Sequence, residues 1–366
     1  MVSMLLKHTL IPAPNLKKLW FQQEVVMHRN TMIRISIMVV VLTFLTGQAG
    51  ALTLKIATLS PEGSLWMKKM REGAKELAQK TSNRVLIKYY SGGVMGNDET
   101  VLRKIRIGQL QGGIVVAGSL SKFYPDNQIY SMPLKFKSIE EVDYVRKHID
   151  QVIIDGMEKV GFTTLGLAGG GFAYILSKKP VLTIGDLRKS KVWVPSNDET
   201  ALEAVKYFDI SPIPLSLADV RAGLQTGLID TVATSPIAAI ALQWHTQVNY
   251  LMDLPLFYIC GVFAVDQKVF LKLSAGDQSI VRDIMGRMFR EVDRQIQKDN
   301  VQALEALRNQ GIKLISPSAE ALDEWYAAAS DVPNRLIEAG KLSQGMLNIL
   351  EGHLKDFRLR QSKVNE

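Results

Sequence analysis

The side chains that could carry out chemistry in this chain are few and scattered. Only three histidines follow residue 51 (His148, His245 and His353); they are far apart and lack ligand-like spacing, so no zinc site of the usual kind is expected. Cys260 is the only cysteine, which excludes an internal disulfide. Gly118-Ser119 lacks the second glycine of a nucleophile elbow. Gln243-Trp-His245 has no serine, cysteine or acid in a motif that would complete a triad. Gly169-Gly-Gly171 comes without a P-loop lysine or a full dinucleotide fingerprint, so it reads as a joint or a close-packing position. Neither catalysis nor a metal nor a cofactor is expected, and binding chemistry remains.

The stretch Ile184-Gly-Asp-Leu-Arg-Lys-Ser-Lys-Val-Trp-Val-Pro195 is the centre of that reading. Lys191 to Val194 alternates as a strand and Pro195 stops it. In an α/β protein such a strand delivers its last residues to the crevice at the carboxyl end of the sheet, where ligands bind. Trp193 therefore either faces a ligand or fills the core behind it. Arg188, Lys189 and Lys191 read as a solvated turn.

The elements that must position these residues follow from local pattern. Leu52–Thr58 and Val85–Tyr90 read as strands, and Gly112–Ala117 as a third. Ser64 is placed to cap a helix over 65–81, and Asp98 a helix running to Ile107. This β-α-β-α-β order predicts a parallel sheet with right-handed crossovers. Further on, Phe162–Leu167 and Ala173–Ser177 read as two strands with the three glycines between them. Helices are expected over 198–208 and 218–226, with strands over 210–215, 229–233 and 259–265. Ser274 caps a helical pattern of roughly 35 residues, long for a globular helix. Two α/β halves joined by crossing segments suggest a hinged clamshell with its ligand in the cleft.

The first 51 residues read differently. After Met27 comes a basic stretch, then the apolar run Ile35–Leu45, then small residues with Ala49 and Ala51 in the A-x-A relation, which is the order of a secretory signal peptide. The run is too short for a span of about 20 residues. The formal charge is +8 for the whole chain. Lys7, Lys17, Lys18, Arg29 and Arg34 against Glu24 account for half of it, and the rest is interspersed with acids. A basic nucleic-acid-binding face is not expected. The remaining roughly 315 residues are ample for two domains.

These residues resemble the DctP-type periplasmic substrate-binding proteins of TRAP transporters. The similarity is carried by Ser60-Pro-Glu-Gly-Ser64, Tyr90-Ser-Gly-Gly-Val-Met-Gly96, Ile107-Gly-Gln-Leu-Gln-Gly112 and Met132-Pro-Leu-Lys-Phe136. It continues through Ser177-Lys-Lys-Pro180, Gly185-Asp-Leu187, Lys191-Val-Trp-Val-Pro195 and Leu224-Gln-Thr-Gly-Leu-Ile-Asp230. The resemblance implies an α/β, two-domain, periplasmic-binding-protein-like clamshell with a long helix spanning both domains. Its expected limits are 52–171 with 259–298 for one domain and 172–258 with 299–358 for the other, with a flexible tail from 359. It also implies periplasmic export, a small organic ligand and TRAP membrane subunits as partners.

The family's chemistry is where the chain departs. The resemblance implies an arginine in the strand before Pro195, pairing with a substrate carboxylate, and a second after a Gly-aromatic pair. Here those positions are Trp193 and Ala173. Asp230-Thr-Val-Ala-Thr-Ser-Pro236 is one residue longer than the family's segment, with Ser235 near a ligand-binding asparagine, and Leu217 replaces an aromatic residue. A buried carboxylate without a cation costs several kcal/mol, so the expected ligand is less charged or more apolar than a C4-dicarboxylate. An acid held by backbone N–H groups at helix starts is the other possibility. The expected contacts are Trp193, Phe172, Tyr174, Leu217 and Trp66, with Trp244 beside them and Ser119, Ser196, Thr234 and Ser235 as a hydroxyl rim. Phe172 and Tyr174 share one face of a strand, and core packing fits them equally. Arg221 is the remaining candidate for a cleft cation. The competing readings are a sensing or scaffolding module of the same shape and, further off, a secreted hydrolase.

Overall fold

Alternating strands and capped helical repeats become the first elements of the fold. The computed structural model describes residues 51–364 apart from Asn197. In chain order come β1 (Leu52–Thr58), α1 (Leu65–Lys80), β2 (Val85–Tyr90), α2 (Asp98–Arg106), β3 (Gly112–Val116), α3 (Ile139–Lys159) and β4 (Phe162–Ser177). There follow α4 (Ile184–Arg188), β5 (Trp193–Pro195), α5 (Glu199–Lys206), β6 (Ile213–Leu215), α6 (Val220–Thr226), β7 (Thr231–Thr234) and α7 (Pro236–Ala241). The rest is β8 (Tyr250–Met252), β9 (Phe257–Asp266), α8 (Gln267–Phe270), α9 (Ala275–Asn309), β10 (Lys313–Ile315), α10 (Ala319–Ser330), α11 (Val332–Glu338) and α12 (Gln344–Val364). The signal-peptide segment lies outside the described residues.

Local capping explains where the helices begin. Ser64 Oγ accepts the Met67 N–H at 3.3 Å, and Ser274 Oγ accepts the Asp277 N–H at 3.1 Å. The expected long pattern is one uninterrupted helix of 35 residues. The expected cap of α2 is corrected: Asn97, in extended backbone, accepts the Thr100 N–H at 3.0 Å. Asp98, one position on, already has helical backbone and turns its carboxylate inward.

The sheet runs β10-β8-β4-β9-β3-β1-β2, with β7 also paired to β4. β1 lies parallel to both β2 and β3, as the crossover pattern predicts. β9 is antiparallel to β3 and β4. Where the sequence suggests two strands and a joint, β4 is a single strand of 16 residues with register shifts at Thr164/Gly166 and Gly169/Gly171. The reason is its partner: β9 pairs along it on both sides of the glycines, and each irregularity is absorbed as a bulge.

Two halves follow from this order. In the first, β2, β1, β3, β9 and the start of β4 bury Leu54, Ile56 and Phe263 against Met67 and Met70 of α1 and Met285, Met288 and Phe289 of α9. In the second, the end of β4 with β7, β8 and the parallel pair β5–β6 buries Leu176, Val220, Leu224 and Trp244 against Leu307 of α9. One helix thus supplies core to both halves. α12 packs on α3 and continues to Val364, past the point where the sequence suggests a tail. α3 was not among the expected elements, although Ser138 and Glu141 form a capping pattern ahead of its apolar repeat.

Candidate functional site

Trp193 is the first residue of β5, and its surroundings are complete. It is 6% exposed, and its indole N–H donates to the Leu215 carbonyl at 3.1 Å across the β5–β6 pair. Its ring meets Trp244 edge to face at 5.1 Å. Tyr174 and Leu217, both half-buried, pack on the same apolar cluster. Tyr174 is paired with Thr234 across β4 and β7. Thr234 is buried, and so is Ser235, which precedes α7 without capping it through its side chain. Ser196 is exposed, and its N–H shares the Leu215 carbonyl with Trp193. Arg221 is exposed on α6. Ala173, at the position of the second implied arginine, is fully buried.

The other expected contacts lie elsewhere. Trp66 belongs to the first half, edge to face with Phe289 at 5.1 Å, and its ring lies 3.9 Å from where a β-carbon on Gly261 would be. Its buried Nε1 has no hydrogen-bond partner among the described residues. Phe172 stands at the joint between halves, edge to face with the fully buried Tyr258 at 5.5 Å. The Tyr258 hydroxyl also has no partner among the described residues. Ser119 is buried and donates to Asp98 Oδ2 at 2.9 Å. The expected set therefore divides: Trp193, Tyr174, Leu217 and Trp244 gather in one cluster, Trp66 in a second, and Phe172 against a third.

Two carboxylates that the sequence analysis did not single out as functional flank the turn Ala117–Leu120. Asp98 accepts the Val116 N–H at 3.0 Å as well as the Ser119 hydroxyl. Burial pushes its pKa up to about 6 against these two hydrogen bonds. Asp198 caps α5 through the Ala201 N–H at 2.8 Å and also accepts the Gln128 side-chain N–H at 2.8 Å. Burial raises its pKa too. In the sequence both read as helix starts; their second partners come from distant turns that no local pattern announces.

The glycine run is held by the long helix. The Gly169 N–H donates to Asp293 at 2.7 Å, and Asp293 pairs with Arg146 of α3 at 2.5 Å. Asn300 donates to the Gly170 carbonyl at 3.2 Å and accepts the Ile237 N–H of α7 at 3.2 Å. The arrangement fixes a crossing point between halves and brings together no nucleophile with a base. No group of three or more His, Cys, Asp or Glu is placed to hold a metal ion among the described residues. None of the helices among them is long and apolar enough to cross a membrane.

This architecture is shared with solved structures. A TRAP periplasmic solute binding protein from Desulfovibrio salexigens with bound orotic acid matches with a TM-score of 0.76 at 17% identity, over 83% of this chain and 99% of that one. The sialic acid-binding periplasmic protein SiaP of Vibrio cholerae is 21% identical over 302 residues, 81% of this chain and 92% of that protein. The uncharacterized protein YiiZ of Salmonella typhimurium is 26% identical over 166 residues, 44% of this chain and 50% of its own length. With residues 56–339 matching the family profile, the chain belongs to the bacterial extracellular solute-binding protein family 7, DctP.

Proposed function

We propose that this receptor captures a small organic ligand less charged or more apolar than a C4-dicarboxylate and passes it to the membrane subunits of a TRAP transporter. The ligand lies in the cleft between a domain of residues 52–171 with 259–298 and one of 172–258 with 299–358. Export to the periplasm, with cleavage near Ala51, completes the proposal.

The observation that carries it is the closed environment of Trp193. An arginine at this position would present a two-pronged donor to a carboxylate; the indole N–H is instead spent on Leu215 and the ring on Trp244. Ala173 removes the second implied cation. A desolvated carboxylate without a cationic partner costs several kcal/mol, more than neutral hydrogen bonds return. The half-buried faces of Phe172, Tyr174, Leu217 and Trp66 offer apolar contact, and the Trp66 N–H and Tyr258 hydroxyl offer polar recognition. SiaP and the Desulfovibrio salexigens receptor are described with acids, and this chain would differ from them in taking a more apolar ligand.

Tryptophan fluorescence of the protein, refolded to strip co-purified ligand, tests the reading. Apolar monocarboxylates or uncharged amphiphiles should quench or blue-shift the emission, and succinate and malate should not. Tight succinate binding would overturn it, and if that binding fell on Arg221→Ala, the carboxylate would be held from α6.

A further inference from the structure

We propose that the edge of the second half where β5, β7, β8 and β10 begin is a docking surface for an anionic lipid bilayer. A run of hydrogen bonds lines up that edge. The Asp230 N–H donates to the Lys191 carbonyl at 3.1 Å, and the Lys178 N–H to the Asp230 carbonyl at 3.0 Å. The Asn249 side chain donates to the Lys178 carbonyl at 3.1 Å, and the Lys313 N–H to the Asn249 carbonyl at 2.9 Å. Lys191, Lys178 and Lys313 therefore stand in one row, with Lys179 and Lys189 beside them in the chain. All but the half-buried Lys178 are exposed. These five lysines and Arg188 stand against three carboxylates, and each carboxylate is already engaged. Asp209 pairs with Arg188 at 3.0 Å, Asp230 accepts the Lys191 N–H at 2.7 Å, and Asp186 accepts the Leu182 and Thr183 N–H groups at 3.1 and 3.0 Å.

Positive charge alone fits any acidic partner; the apolar groups among the lysines favour a bilayer. Lys178 and Lys191 turn their ammonium groups onto the last carbonyls of α6, Lys178 on Leu224 and Lys191 on Gly227 at 2.8 Å. Cations are favoured at a helix C-terminus. Gly227, with φ +74°, ends α6, and the next residue, Leu228, is 51% exposed beside these lysines while Ile229 is fully buried. At the far end of the row the Lys313 ammonium lies 5.8 Å from the centre of the half-buried Tyr250 ring. Lysines that reach headgroup phosphates, with an aliphatic tip and an aromatic ring among them, are the chemistry of interfacial binding to anionic lipid. β5 runs from this edge to Ser196 at its other end, so a docked receptor keeps the end nearer the proposed cleft turned away from the bilayer.

The surface is independent of the ligand's chemistry and is tested by vesicle flotation. Protein recovered after export is mixed with vesicles of phosphatidylglycerol and phosphatidylcholine in equal parts, and with phosphatidylcholine alone. Wild type should float with the anionic vesicles at low salt, stay behind with the neutral ones, and release as salt screens the charges. Each lysine at such a surface is worth about fivefold in binding. Lys179→Gln, Lys189→Gln and Lys313→Gln together should therefore weaken it about a hundredfold, and they leave the two lysines that hold α6 in place. Lys68→Gln, Lys75→Gln and Lys80→Gln, exposed on α1, remove the same charge from the first half and should change binding far less. Leu228→Ser should weaken binding severalfold while keeping its salt dependence. Equal losses in the two triple variants, or a wild type that ignores anionic vesicles, would overturn the proposal. Retention of wild type on immobilised polyglutamate but not on vesicles, lost in the first triple variant, would overturn it in favour of an acidic protein partner.

Discussion

Asn300 of α9 occupies the space into which a β-carbon on Gly171 would project, its Nδ2 only 2.4 Å from that point. Gly171 has φ +92°, a backbone conformation open to glycine. The same asparagine holds the Gly170 carbonyl and the start of α7. Strand, long helix and second half thus meet on one side chain.

Gly171→Ala should therefore destabilise the protein by about 2 kcal/mol from backbone conformation alone, and by more from the clash. Urea unfolding should also show Asn300→Ser restoring part of the loss in the double variant, since the serine is shorter. An unchanged midpoint for Gly171→Ala would mean that the bulge relaxes freely.

Trp193 and Trp244 form the other close pair. Trp193→Ala should cost about 3–5 kcal/mol, the range for a buried large aromatic residue. Trp193→Phe should cost less, because the Leu215 carbonyl still accepts the Ser196 N–H. Chemical denaturation measures both, and a near-UV circular dichroism band lost equally in Trp193→Phe and Trp244→Phe would report the pair.

Asp98 gives a dependence on pH. Burial holds its pKa at about 6, above the 3.8 of a free aspartate. The folded chain keeps this proton where the unfolded chain has released it. Its contribution to stability is full below 3.8 and is lost as pH rises through about 6. Two units correspond to ~3 kcal/mol. Asp98→Asn keeps an acceptor for Val116 and Ser119 without the charge. Its stability relative to wild type should improve by about that amount between about pH 4 and about pH 7. A difference independent of pH would show that the carboxylate is not strained by burial.

A second pH effect belongs to α12. His353 stacks on His148 of α3 at 4.3 Å, beside Tyr144, Asp356 and Arg360. Burial, then the neighbouring imidazole, lowers the pKa of His353 below the usual 6.5. The folded state binds this proton less readily than the unfolded chain, so stability falls as pH drops below 6.5. Hydrogen exchange should show α12 losing protection on α3 as the pH is lowered past that value, and losing less of it in His148→Gln. Equal losses in both proteins would place the titration elsewhere.

The sequence by itself determined what depends on neighbours along the chain. Apolar alternation in β1 and short apolar runs bounded by glycines and turns in β2 and β3 marked these strands, whose parallel pairing follows from short helical crossovers. Ser64 and Ser274 set the starts of α1 and α9 because an N-cap needs only the next three residues. The loss of two implied arginines was legible in the same way, from Trp193 and Ala173 in their motifs. Tertiary structure decided the rest. Whether β4 is one strand or two depended on β9 lying along both parts of it. What Trp193 packs against depended on Leu215 and Trp244, 22 and 51 residues away, which meet its indole N–H and its ring. Asp98 and Asp198 read as helix starts, and distant partners, Ser119 and Gln128, gave them contacts that no local pattern announces. Burial and cross-fold hydrogen bonds are set by which elements meet, and no short-range period in a sequence encodes that.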